Sequence, residues 1–201
     1  MIIVILQKEL YIMAAQELFN VATENYQKAR QLVAKMNDVV GQVRSDFNPK
    51  AGYLKLDIIV QYTLLEVALA DGKFLPIEGE FIDKITDTFD VINLFDNVPR
   101  GMNWQWFANN RSFNDIKNTI GNLRKMAQEH MQDFASMFAI VDAAYPDYDI
   151  LAELLKYLGL IAGAFTRIDG SHDESEVKIA SAVTEQYLVR PWLDMMHRVR
   201  K

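Results

Sequence analysis

Asp71-Gly72 followed by Glu78 recurs as Asp169-Gly170 followed by Glu176, at a constant offset of 98 residues. Physical type follows the same offset downstream, with Phe81 matching Ile179, Ile85 matching Val183, Thr86 matching Thr184, Asp87 matching Glu185 and Phe89 matching Tyr187. Carboxylates so arranged are hard oxygen donors, suited to calcium or magnesium in preference to zinc. Asp, Gly and Glu stand at the spacing of positions five, six and twelve of an EF-hand loop. Positions one and three would then be Val67 and Leu69 in the first copy, and Phe165 and Arg167 in the second. Neither copy can supply the roughly six to eight oxygens that calcium takes, so a shared ion requires two half-sites that face each other.

A purely structural reading covers the same residues. Gly72 and Gly170 suit the left-handed residue that ends a helix, and Pro76 suits a first turn. Glu78 and Glu176 fall near N3, and Asp173 with Glu176 has capping spacing. Asp71 and Asp169 strain that reading, because a helix C-terminus disfavours negative charge by about 0.3–1 kcal/mol unless something positive is near. From Asp142 to Glu176 eight acidic residues (Asp142, Asp147, Asp149, Glu153, Asp169, Asp173, Glu174 and Glu176) face only Lys156 and Arg167. The first loop, Lys73 to Ile77, is apolar apart from its lysine. The candidate ligands are therefore Asp71, Glu78, Asp169, Glu176 and Asp173, with His172 as the histidine beside them. His130 lies on an apolar helical face and reads as a satisfied core or interface histidine. Trp104 and Trp106 read as aromatic residues buried against the bundle, in an ordered loop over Asn97 to Asn110.

Other chemistries fail on residue types. The chain has no cysteine and three histidines, and it lacks H-E-x-x-H, E-x-x-H and glycine-rich phosphate loops, so thiol, zincin, di-iron and P-loop mechanisms have no residues to run on. A metal-dependent hydrolase would have carboxylates but no base or nucleophile constellation. The sequence reads as a non-enzyme.

The elements that must position these groups are helical throughout, since no stretch alternates as a half-buried strand does. A seam of Tyr11, Ala15, Leu18, Ala22, Tyr26, Ala29, Val33, Met36, Val40 and Val43 predicts one long helix, about 50 Å at 1.5 Å per residue, lying on another long helix or on a partner chain. Ser45, Asp46, Asn48, Pro49 and Gly52 end it. A second seam, Phe113, Ile116, Ile120, Leu123, Ala127, His130, Phe134, Met137 and Val141, follows the N-cap candidate Ser112, and the two seams could pack together. Tyr53–Ala70 and Ile150–Ile168 are apolar nearly all round, as central bundle helices are. A helix from Asp173 to Leu188 and another after Pro191 close the chain, with His197, Arg198, Arg200 and Lys201 compensating a helix dipole. The expected fold is all-α: a single helical bundle containing two helix–turn–helix hairpins in a pseudo-twofold internal repeat (47–201), plus a long N-terminal helical segment (1–46).

Composition sets the remaining bounds. In 201 residues, half are apolar and the formal charge is −6, which opposes nucleic-acid binding. Absence of cysteine suits a cytoplasmic setting. Met1 to Leu6 is apolar but has no basic n-region and is cut off by Gln7, Lys8 and Glu9, so it does not read as a secretion signal. No apolar run approaches the ~20 residues of a transmembrane helix, leaving only peripheral membrane contact.

Val67-Ala68-Leu69-Ala70-Asp71-Gly72 with Glu78, repeated as Ile168-Asp169-Gly170 with Glu176, resembles the tellurite-resistance TerB-like domains. The resemblance covers roughly Tyr53 to Leu188. It implies an all-helical domain whose paired turns form a metal-binding surface on Asp71, Glu78, Asp169 and Glu176. It further implies a stress-response role near the inner face of the membrane, exerted through protein partners. The apolar first loop departs from the polar loop usual in that family, which weakens a symmetric two-sided site. The competing reading is a structural interaction protein that forms a homodimer through its N-terminal helix and has no metal site.

Overall fold

The computed structural model describes residues 2–86, 104–145, 149–170, 174–183 and 190, with backbone alone at 2–12, 104, 113 and 135. Among the described residues there is no strand. Seven helices are α1 (Ile2–Val43), α2 (Pro49–Ala68), α3 (Pro76–Ile85), α4 (Trp104–Asn110), α5 (Phe113–Ala144), α6 (Ile150–Phe165) and α7 (Glu174–Ala182).

The seam spacing of α1 produces what it predicts. Ala22, Tyr26, Ala29, Val33, Met36 and Val40 are all buried, at alternating steps of four and three. The helix is longer than its seam: it is continuous over 42 residues from Ile2. It lies chiefly along α6, with α2 and α5 alongside. The Ala22–Val40 face is thus covered within its own chain, and the two long seams pair with each other less than α1 pairs with α6. Val43 is 68% exposed, so burial stops at Val40.

Asn48 caps α2, its side chain accepting the Lys50 N–H at 3.1 Å, and Pro49 takes the first helical position, where a missing N–H costs nothing. Thirteen residues of this helix are buried, including the polar Asp57, Gln61 and Thr63, so α2 is the central helix that its composition predicts. The expectation of all-round burial is corrected for α6. Leu151, Leu154, Leu158, Ile161 and Phe165 form one buried stripe, while Gly159, Leu160 and Gly163 face outward. High apolar content therefore marks a one-sided helix here, because two of its small residues lie on the open face.

Ser112 starts α5 with a capping box: its hydroxyl accepts the Asp115 N–H at 3.2 Å, and the Asp115 carboxylate accepts the Ser112 N–H at 3.4 Å. The buried positions Ile116, Ile120, Leu123, Ala127, Met131, Phe134, Phe138 and Val141 hold α5 against α2. The aromatic loop expected over Asn97–Asn110 is corrected from Trp104 onward, where the chain is the short helix α4; residues 97–103 lie outside the described residues. Phe107 explains it. This ring is fully buried, edge-on to Phe74 at 6.0 Å, and Trp106 packs partly against the same core.

All seven helices contribute to one apolar cluster. Phe81 links its parts, with Phe19 edge-on at 5.6 Å and Phe165 at 5.2 Å, contacts worth about 0.5–1.5 kcal/mol each beyond burial. The helices expected beyond Val183, including the one after Pro191 and its basic cluster, lie outside the described residues.

Where α1 crosses α2, the approach is close. A Cβ on Gly52 would stand 2.7 Å from Asn37 Oδ1 and 3.1 Å from Val33 Cγ1. Asn37 cannot swing away freely, because it is buried and its Nδ2 donates to the Pro49 carbonyl at 3.0 Å. Gly52→Ala should therefore lower unfolding free energy by about 1–3 kcal/mol despite alanine's better helix propensity. Gly121→Ala on α5, where a Cβ meets nothing within 4 Å, should instead be neutral or gain up to about 1 kcal/mol in the same denaturant titration.

Candidate functional site: the paired acidic turns

Each acidic turn is built by the same backbone device. After α2, Ala70 N–H donates to the Val67 carbonyl at 3.0 Å and Gly72 N–H to the Leu69 carbonyl at 3.2 Å. After α6, Ile168 N–H donates to the Phe165 carbonyl at 3.0 Å and Gly170 N–H to the Arg167 carbonyl at 3.1 Å. Gly72 and Gly170 then turn the chain at φ 83° and 79°, a region costly for any residue with a Cβ. The structural role expected of both glycines holds.

The first turn continues through Asp71, whose Oδ1 accepts the Lys73 N–H at 2.8 Å. That N–H supplies part of the positive partner that an aspartate beyond a helix C-terminus requires. Pro76 occupies the first turn of α3 and Glu78 is its N3 residue, as the spacing predicts. The Glu78 carboxylate reaches back to accept the Leu75 N–H at 2.5 Å. Leu75 has no polar side chain to return the bond, so this is half of a capping box. In the second turn Glu176 lies in the first turn of α7. His172 and Asp173 fall outside the described residues.

The two glutamates are sunk into the protein: Glu78 and Glu176 are each 4% exposed. Burial pushes the Glu78 carboxyl up to about 8, and the carboxylates of Glu176, Asp71 and Asp169 push it the same way, against the lowering effect of the Leu75 N–H. Both turns therefore act on one carboxyl. Asp71 and Asp169 are partly exposed and form the outer side of the group. Among the described residues, no three histidine, aspartate or glutamate side chains converge closely enough to hold a metal ion.

The wider acidic run disperses into local roles. Asp149 is the N-cap of α6, accepting the Ala152 N–H at 2.8 Å, and Glu153 accepts from the Tyr157 hydroxyl at 3.4 Å. Asp142 is held above the usual aspartate range by burial and by Asp149. Asp149 and Glu153 are thus committed to bonds within α6, away from the acidic turns.

His130 is a correction. Met131 takes the seam position, and the imidazole is left half-buried with a buried Nδ1 that has no hydrogen-bond partner among the described residues. Burial and the Lys55 ammonium hold its pKa below the ordinary value. Lys55 instead pairs with Asp133, whose Oδ2 lies 4.0 Å from His130 Nδ1.

Sequence reasoning missed a set of buried and part-buried polar links on α2. Tyr26 donates to the fully buried Asp57, and Gln61 donates to Thr86 at the end of α3. Arg124 donates to Glu66 at 2.5 Å and to the Tyr62 hydroxyl at 3.1 Å, tying α5 to α2. The signal was present as Asp57 and Gln61, four residues apart inside an apolar helix.

No family model, no curated protein and no solved structure matches the chain. Among the described residues, no helix is long and apolar enough to cross a membrane.

A buried glutamate with a raised pKa makes stability depend on pH in a defined direction. Between the ordinary value of 4.5 and about 8, the unfolded chain has released this proton while the folded chain keeps it. The contribution is fully present below about 4.5 and is lost as pH rises to about 8. Glu78→Gln retains an acceptor for Leu75 and cannot ionise. It should match the parent near pH 4.5 and exceed it by about 2–4 kcal/mol at pH 9, measured by denaturant unfolding across that range.

Proposed function

We propose that this chain is a non-enzymatic, TerB-like helical binding module in which the paired acidic turns take up positive charge, in the form of a divalent cation. The observation that carries the reading is the burial of Glu78 and Glu176 to 4% exposure beside Asp71 and Asp169. Desolvated like charges are mutually unfavourable unless a proton or a cation neutralises them.

A pseudo-twofold internal repeat supports the same reading. The two turns have matching hydrogen bonds at the 98-residue offset and matching glycine conformations. Their packing is also reciprocal. Ile179 of α7 lines one cavity with Leu69 and Ala70 at the end of α2, while Phe81 of α3, the counterpart of Ile179, lines another with Ile168, the counterpart of Ala70. Each hairpin's second helix thus meets the other hairpin's first.

The donor set is all carboxylate, which fits calcium or magnesium better than zinc. No three of Asp71, Glu78, Asp169 and Glu176 converge as the turns stand, so an ion taken up there would have to draw them together, with Asp173, His172 or water completing the set. The ion would supply charge neutralisation and would order the two turns as a surface for a protein partner. A stress-response role at the inner face of the membrane belongs to this proposal through the TerB-like resemblance alone.

Thermal melts at pH 8 with calcium, magnesium, manganese or zinc test the reading. At ~100 times its dissociation constant an ion stabilises by ~2.7 kcal/mol, so calcium or magnesium should raise the midpoint by about 5–10 °C. The rise should vanish in Asp71→Asn/Asp169→Asn. If none of the four ions moves the midpoint of the parent chain, the cation reading is wrong.

A further inference from the structure

Lys55 on α2 and Asp133 on α5 form an ion pair across the contact between these two helices, and the lysine is largely withdrawn from water, its side chain only 18% exposed. His130 stands one turn before Asp133 on the same helix, with its Nδ1 4.0 Å from the Oδ2 that Lys55 holds. That nitrogen is buried and has no hydrogen-bond partner among the described residues. The gap is about 1 Å too long for a bond, and the oxygen is already in use. The charged groups that face the ring are Lys55 from α2 and Asp133 and Glu129 from α5 itself; among the described residues α1 and α6 present none to it. Burial and Lys55 oppose a proton on the imidazole, Asp133 and Glu129 favour one, and the first two prevail.

We propose that His130 is an acid-operated release for the Lys55 end of the α2–α5 contact, in which a proton on Nδ1 draws the Asp133 carboxylate away from Lys55. A bare ring nitrogen offers a carboxylate nothing to accept, so the neutral ring leaves Asp133 to Lys55. In the protonated ring both nitrogens are donors, and Asp133 Oδ2 is the carboxylate oxygen that a small side-chain rotation brings to bonding distance of Nδ1. Two cations then compete for one carboxylate. An ammonium that loses its partner in a poorly hydrated place is strongly disfavoured, and Lys55 escapes that penalty by moving, with the start of α2, away from α5. The other tie between these helices, Arg124 with Glu66 and Tyr62, contains no histidine and remains as the pivot. With the His130 pKa held below its ordinary 6.5, the contact is complete above that pH and weakens as pH falls through the folded-state value. None of the acidic-turn carboxylates takes part, so this inference is independent of the cation reading.

The chain has three histidines, so the ring-proton signal of His130 can be assigned in the full chain by elimination against His172→Gln and His197→Gln. Its titration midpoint should lie below 6.5, rise in Lys55→Met and fall in Asp133→Asn. A midpoint at or above 6.5 in the parent, or one that neither variant moves, overturns the proposal. Movement is read separately, by the spin–spin distance between labels on Leu54→Cys and Gln132→Cys, both exposed positions in a chain without cysteine. The distance distribution should widen between pH 7.5 and pH 5 in the parent background and stay narrow at both in His130→Gln. Identical distributions at the two pH values in the parent background, or equal widening in His130→Gln, show that the ring does not control the contact.

Discussion

Removing a carboxylate from water is costly, and this fold does it twice at corresponding places, with Glu78 and Glu176 each near the start of a short helix. For Glu78, helix initiation is the reason. Glu78 is needed at N3 to take the Leu75 N–H, and the chain reversal at Gly72 directs that N-terminus into the bundle rather than toward solvent. The cap thus draws its carboxyl inside, where burial keeps the proton on it up to about pH 8. Pro76, which has no N–H to satisfy, and Ile77, which packs against the core, fit the same buried entry.

The polar links of α2 answer a related problem. An apolar helix surrounded by α1, α3, α5, α6 and α7 could slide or rotate against its neighbours with little change in buried area. Asp57 with Tyr26, Gln61 with Thr86, and Glu66 and Tyr62 with Arg124 each tie a different turn of α2 to a different neighbour. Buried pairs of this kind add little net stability, because desolvation offsets much of their attraction. Losing one partner leaves the other exposed to the full penalty. They fix the register of the helices instead.

The legible part of this protein was the periodic part. The seams of α1 and α5, the Ser112 cap and both left-handed glycines follow from spacing and from local backbone chemistry, so the all-α class and the two turns could be read from residues. Partner choice could not. The α1 seam is equally suited to α5 or α6, and nothing in either sequence says that α6 wins. Rotation of a few tens of degrees decided His130 against Met131, which a three-or-four step cannot resolve. At the acidic turns, residue types announced four carboxylates but not that two of them would be buried. That depends on how deeply each helix start is set into the bundle, a tertiary property. Leu160 and the flanking glycines of α6 show the converse: an apolar sequence with an outward side.

Thr86 is held by Gln61, and Phe107 sits against Phe74, so α3 and α4, which are distant in sequence, lie side by side. Both are shorter than the roughly 12–15 residues at which a helix begins to persist by itself in water. Each therefore depends on that contact, and local opening of one should carry the other with it.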